Sequence, residues 1–353
     1  MSAATATSQL RAPKALRPSL LVGGGARTLG LVACIAGLGI VMLLSLALGS
    51  AELDPASVIG AFTRFDGSNE HLIVLELRLP RTLVGIAVGA SLALAGVLMQ
   101  GVTRNPLADP GIFGVNAGAS FAVVVGIVAF GIADVGTYVW FALAGALVAS
   151  AVVYALGSVG RGRVTPVRLA LAGAVLAALL GSATSAVIVL DSRTLDQFRF
   201  WVVGSIAGRD LGVLASVLPF LVIGALVAVG AGRQLNALSL GDDAAAALGQ
   251  RVGIVRAVVS LAVVLLAGGS VAAAGPVAFV GLAVPHAARM LVGADYRWIT
   301  GYAIFLGPTL LVAADILGRI LVRPSELQVG IMTALIGAPV FVWLVRRSRM
   351  AEL

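Results

Sequence analysis

Ten apolar runs, most of them about as long as a bilayer is thick, constrain this chain more than any other feature. They lie at 28–50, 82–102, 112–131, 137–157, 167–190, 211–231, 254–274, 276–292, 299–321 and 328–345. A helix needs about 20 residues to cross the hydrocarbon. A spanning segment must also satisfy its own backbone polar groups, which makes each run a helix. Composition agrees, with 59% of the 353 residues apolar and 11% charged, and a mean hydropathy of +1.06. A soluble surface needs more charge than that. The predicted fold is an all-α, polytopic transmembrane helical bundle of about ten spans.

Charge sets the predicted orientation. Lys and Arg are retained on the cytoplasmic side. With an N-terminus inside, the cytoplasmic segments hold 16 Lys+Arg and 5 Asp+Glu, against 8 and 11 outside. Both termini are then cytoplasmic, the Arg346–Arg347–Ser348–Arg349 end included. The net charge of +8 reflects this topology and contact with anionic membrane lipid. No basic run with interleaved aromatics points to nucleic acid. Residues 1–27 lack acids and read as a disordered cytoplasmic tail, and residues 28–353 as one membrane domain.

Several activities are poorly supported. The sole lysine is Lys14, so no Gly-x-x-x-x-Gly-Lys-Ser/Thr loop is present to hold ATP phosphates. Cys34 is alone, which removes cysteine metal clusters and intrachain disulfides. His71 and His286 have no ligand-spaced partner, and no metal site is expected. Asp315 is the one acid well inside an apolar run. A proton carrier would need such a group, but Arg319 four residues on favours a local ion pair near the outer surface.

Between spans, Asp54-Pro55 reads as an N-cap and first-turn proline, placing a short surface helix near 55–63. Asp191 to Arg209 carries Phe198, Phe200 and Trp201 and reads as an interfacial helix anchored at the headgroups. The pairs Gly85/Gly89 and Gly114/Gly118 suit close helix packing. The stretches Gly96–Pro106 and Gly275–Pro285 are compatible with an inverted repeat. In Gln100–Gly114, prolines, Asn105 and glycines enforce a fixed non-helical connection, either a tight turn or, through Asn105 and Leu107, a constriction at a pathway mouth. In Leu238–Gly253, Asp242 is placed to cap a short alanine helix that Gly249 ends. Its flanking Leu240 and Leu248 need either a membrane surface or a partner groove.

These segments resemble the FecCD/BtuC-type permeases, the membrane subunits of ABC importers for ferric siderophores, haem and vitamin B12. The resemblance rests on Leu77-Arg-Leu-Pro-Arg81, Arg104-Asn-Pro-Leu-Ala-Asp-Pro110 and Leu240-Gly-Asp-Asp-Ala-Ala-Ala-Ala-Leu-Gly249. It continues in Gly275-Pro-Val-Ala-Phe-Val-Gly-Leu-Ala-Val-Pro-His-Ala-Ala-Arg289, Ala314-Asp-Ile-Leu-Gly-Arg319 and Gly330-Ile-Met-Thr-Ala-Leu-Ile-Gly-Ala-Pro339. Departures are Gln328-Val329-Gly330 in place of a Pro-Val-Gly-like sequence, and Pro308 where a small residue is commoner.

The resemblance implies a transport subunit without its own ATPase site and without a bound cofactor, ATP and Mg residing on two partner ATPase subunits. It implies a second permease subunit, a heterodimer in preference to a homodimer, and an extracytoplasmic siderophore-binding protein. Leu240, Gly241, Asp242, Ala245, Leu248 and Gly249 match the family's ATPase-coupling helix, which turns the reading of that segment toward a partner groove. Arg78, Arg81 and Arg319 match its binding-protein docking arginines. Asn105 and Leu107 match a cytoplasmic gate, with Thr165 near a second gate position. The cargo is expected to be ferric siderophore of the catecholate type, with haem or vitamin B12 as the alternatives.

Overall fold

A computed structural model describes residues 19–132, 134–158 and 166–349. Among them the chain is helical, and each of the ten apolar runs falls on a helix. In chain order the helices are α1 Gly24–Ala47, α2 Pro55–Thr63, α3 Asn69–Leu72, α4 Leu79–Thr103, α5 Val115–Phe130, α6 Val135–Ser158, α7 Pro166–Leu190 and α8 Ser192–Val202. They continue as α9 Leu211–Gly230, α10 Gly232–Ser239, α11 Asp242–Ala247, α12 Val252–Ala274, α13 Val280–Val292, α14 Tyr296–Leu321 and α15 Val329–Arg349. Among the described residues, seven helices are long and apolar enough to cross a membrane by length and composition, while α5, α13 and α15 hold shorter apolar stretches.

Burial sorts these helices into a core and an exposed coat. The apolar windows of α4 and α12 are 78% buried in protein, whereas that of α1 is 6% buried. Around α4 pack α14, α12, α13 and α9, and α5 pairs with α6. Small residues permit these contacts. A Cβ on Gly89 of α4 would stand 2.7 Å from the Pro308 Cα and 2.8 Å from the Gly307 carbonyl oxygen of α14. Helix α14 runs unbroken through Pro308.

Four expectations are corrected. First, the second span, expected over 82–102, begins well before Pro80. The α3 helix passes through a π turn, Ile73–Arg78, directly into α4, so the second span starts at Asn69. The Leu79 N–H bonds back to the Val74 carbonyl, five residues earlier. That widened turn accommodates the Pro80 ring, which a regular helix would force against the carbonyl of residue 76.

Second, the eighth span is only the thirteen residues of α13. Gly275 at φ 71° and Pro276 end α12, and 275–279 is not helical, with Phe279 in the left-handed region at φ 69°. Third, Phe198 and Trp201 of α8 are 5% and 3% exposed, with ring centroids 5.9 Å apart. These two rings anchor α8 to the bundle, not to headgroups. Fourth, the tail expected over 1–27 is structured from Ser19 onward. The Leu20 and Leu21 N–H groups donate to the Met290 and Leu291 carbonyls at 3.2 and 2.9 Å, which satisfies the open C-terminal end of α13.

The predicted surface helix near 55–63 is α2, where Asp54 Oδ1 accepts the Ala56 N–H at 3.3 Å.

Candidate functional site

The functional residues read from sequence gather at opposite ends of the bundle. At one end, α10 and α11 form a short arm. Leu235 and Leu238 of α10 are buried, while Leu240 and Leu248 are 68% and 66% exposed. Two apolar side chains therefore flank α11 in the open, with Ala245 between them packed inward. Gly241 holds φ 111°, a conformation that costs a side-chain-bearing residue heavily. Gly249 ends α11 at φ 84°. Its N–H bonds the Ala246 carbonyl at 2.9 Å and the Gln250 N–H the Ala245 carbonyl at 3.0 Å, a Schellman termination.

Asp242 is not the cap that the sequence suggested. Gly241 occupies the N-cap position without a side-chain bond. The Asp242 carboxylate instead accepts Arg256 Nη2 of α12 at 2.9 Å and faces Arg104 Nη2 at 3.2 Å. Two guanidiniums outcompete the backbone N–H groups because a charge-assisted bond is the stronger one. Asn236 fastens α10 to α14: its Nδ2 donates to Asp295 at 2.7 Å and its Oδ1 accepts the Tyr296 N–H at 2.8 Å. The arm is thus tied to α4, α12 and α14.

Beside it, the α4–α5 connection is a fixed turn. Asn105 Oδ1 accepts the Leu107 N–H at 2.9 Å, and Asp109 Oδ1 accepts the Gly111 N–H at 2.8 Å. Leu107 projects from this turn, 54% exposed. Thr165 lies outside the described residues.

At the far end stand Arg78, Arg81 and Arg319, and none presents a free guanidinium. Arg78 donates to the carbonyls of Leu46, Ala47 and Ala51 at 2.7, 2.7 and 2.6 Å. Arg319 donates to the carbonyls of Ser45 and Leu48 at 3.0 and 3.1 Å and to Ser45 Oγ at 2.7 Å. Helix α1 has no basic residue in its last turn, so these two arginines serve its unsatisfied carbonyls. Arg81 holds Asp315 through two donors and Glu326 through a third at 2.6 Å. Arg319 also meets Asp315 at 3.1 Å, the local pair expected from sequence.

Glu326, Ser45 and Ser50 are members of this cluster that sequence reasoning missed. Ser50 Oγ donates to Glu326 at 3.0 Å. The one available signal was an α1 end with no cap of its own.

The FecCD transport family model matches residues 37–347, nearly the whole described chain. The chain belongs to the FecCD transport family. The ferric enterobactin transport system permease protein FepD of Escherichia coli is 50% identical over 306 residues, 86% of this chain and 91% of that one. The probable siderophore transport system permease protein YfiZ of Bacillus subtilis is 47% identical over 291 residues, 82% and 87% of the two chains. A solved ABC transporter of metal-chelate type, in an inward-facing conformation, superposes with a TM-score of 0.79 at 29% identity, covering 91% of this chain and 99% of that one. As a FecCD protein the chain is a multi-pass membrane permease component.

Proposed function

We propose that this FecCD protein is the permease subunit of an ATP-driven importer that carries ferric siderophore across the cytoplasmic membrane. The observation that carries this reading is the α10–α11 arm. Its leucines are exposed while its polar ties run to three bundle helices. An apolar ridge so held suits a groove on a separate ATPase subunit, and force applied there reaches α4, α12 and α14 together. ATP and Mg belong to two such subunits, and both termini of this chain face them.

The siderophore assignment draws on the enterobactin and siderophore permeases among its relatives. A second permease subunit, in a heterodimer, completes the pathway, with Asn105, Leu107 and Thr165 near its inner mouth. An extracytoplasmic binding protein docks on the opposite end. There Arg78, Arg81 and Arg319 act by ordering the rim, since each guanidinium already donates to groups of this chain, Arg319 Nε alone being buried with no acceptor among the described residues. A proton-coupled carrier is disfavoured because Asp315 is 1% exposed and held by two guanidiniums; a carrier must open to a hydrated path.

The test is uptake of radiolabelled ferric siderophore by cells with wild-type protein or a Gly241→Asp/Leu248→Asp variant at equal membrane levels. Loss of uptake with docking of the binding protein retained is expected. Unchanged uptake by the variant overturns the coupling role of the arm.

A further inference from the structure

Helix α14 is fastened at both of its ends, and each fastening belongs to a different functional surface. At its start, the Asp295 carboxylate caps the helix by accepting the Arg297 N–H at 2.9 Å. The same oxygen accepts Asn236 Nδ2 of α10 at 2.7 Å, and Asn236 Oδ1 in turn accepts the Tyr296 N–H at 2.8 Å. Asn236 thereby takes up a first-turn N–H that α14 cannot satisfy internally. There is no slack around this tie. A Cβ on Gly101 of α4 would stand 2.9 Å from Leu235 Cδ2 of α10 and 3.1 Å from the Tyr296 ring of α14, so three helices meet there in contact.

At the far end, Arg81 holds Asp315 at 2.7 Å, and Arg319 reaches the carbonyls of Ser45 and Leu48. The Leu327 N–H donates to the Gly318 carbonyl at 3.0 Å, which joins the same turn to the segment carrying Glu326. Between Asp295 and Asp315 the helix runs without a break and advances about 30 Å. Pro308 removes one hydrogen bond from the middle of this stretch. There Gly89 brings the α4 backbone against Gly307 and Pro308, so a second helix braces the weak point. A close-packed element held in this way passes a push at one end to the other.

We propose that α14 is a strut between the arm and the outer rim, and that Asn236 is the positioning residue through which the two ends act on each other. A shift of α10 moves the start of α14 through Asn236 and arrives at Asp315, Arg81 and Arg319. The inference rests on the proposed function, since it takes the arm as the seat of the ATPase and the rim as the dock of the binding protein. Such coupling is reciprocal. Nucleotide on the ATPase subunits changes the affinity for the binding protein by the factor with which the binding protein changes the affinity for nucleotide.

The test uses the assembled importer, permeases and ATPase subunits together, in lipid nanodiscs. The Kd of the binding protein loaded with ferric enterobactin is measured with and without a non-hydrolysable ATP analogue. In wild type the two values should differ about fivefold or more. Asn236→Asp sets two carboxylates side by side, and Asn236→Ala removes both bonds without adding charge; each should make the two values equal. Should Asn236→Asp fail to fold, Asn236→Ala decides in its place. The paired exchange Asn236→Asp/Asp295→Asn reverses donor and acceptor, keeps an acceptor for the Tyr296 and Arg297 N–H groups, and should restore the wild-type ratio. A residue that merely packs would show no such rescue. Ser216→Ala, which loses a bond within α9, should leave the ratio unchanged. A wild type that does not assemble with ATPase subunits overturns the proposed function and this inference together. In an importer that assembles, three results overturn the strut alone: a wild-type Kd indifferent to nucleotide, an unchanged ratio in Asn236→Ala, or no rescue by the paired exchange.

Discussion

Arg81 of α4 grips Asp315 of α14 with two donors at once, Nε to Oδ2 at 3.0 Å and Nη2 to Oδ1 at 2.7 Å. Asp315 is 1% exposed and its other neighbour, Arg319, is 2% exposed. Breaking a buried ionic group by removing one partner leaves an uncompensated charge, at a cost of about 3–5 kcal/mol. Asp315→Asn is therefore expected to destabilise the folded protein by roughly that amount, read as a lower unfolding temperature in detergent. A variant that unfolds with the wild type would remove Asp315 from the forces holding α4 to α14.

Glu326 gives the same cluster a dependence on pH. Burial raises its carboxyl pKa, but the hydrogen bond and charge of Arg81 outweigh that, with Ser50 and Arg319 adding, and the net shift is downward from the ordinary 4.5. A carboxyl depressed in the folded state binds protons more readily when unfolded. Its contribution is present above the unfolded pKa and is lost as pH falls through the folded one. Unfolding temperature should drop more steeply below pH 4.5 for wild type than for Glu326→Gln. Parallel curves for the two proteins would show that the Arg81 contact does not act on folding.

Close approach of backbones makes a third prediction. At Gly89 the atoms a Cβ would meet are backbone atoms of Gly307 and Pro308, which cannot swing aside as a side-chain end can. Gly89→Ala should cost about 1–3 kcal/mol by pushing α4 from α14. Gly301→Ala on α14 is the matched control, since nothing lies within 4 Å of its added Cβ. There the helix preference of alanine gives no loss or a gain of up to about 1 kcal/mol. Equal effects at the two sites would place the crossing elsewhere.

How far these features could be read in advance depended on whether they were local. The ten apolar runs, the Asp54-Pro55 start of α2 and the Gly249 end of α11 are written in a few adjacent residues each, and all stand in the structure. The Arg81–Asp315 bond joins residues 234 positions apart, and nothing in either local sequence names the other. Helix starts were misread where a local rule met an unusual backbone. The second run, read over 82–102, was set after Pro80 because a regular helix interior does not hold that ring, whereas a π turn does. Phe198 and Trp201 looked like headgroup anchors because their composition cannot reveal which side of α8 the bundle occupies. Arg78 gave no sign of its partners, and Arg319 showed only its Asp315 one, because the carbonyls they serve lie at and just after the end of α1, distant in sequence.

The tie between Asp242 and the helices yields the last prediction. Leu240 and Leu248 offer the surface a partner would grip, whereas Asp242 connects that surface to Arg104 and Arg256. Gripping and transmission are then separable by mutation. Leu248→Asp should prevent the ATPase subunits from co-purifying with this chain. Asp242→Ala should leave co-purification intact, because the leucines are untouched, and lower siderophore uptake per ATP hydrolysed. The pairs are partly exposed, so their loss amounts to about 1 kcal/mol, on the order of fivefold in that ratio. If Asp242→Ala instead abolishes co-purification, the carboxylate shapes the docking surface itself, and α11 is one rigid epitope with no separate linkage behind it.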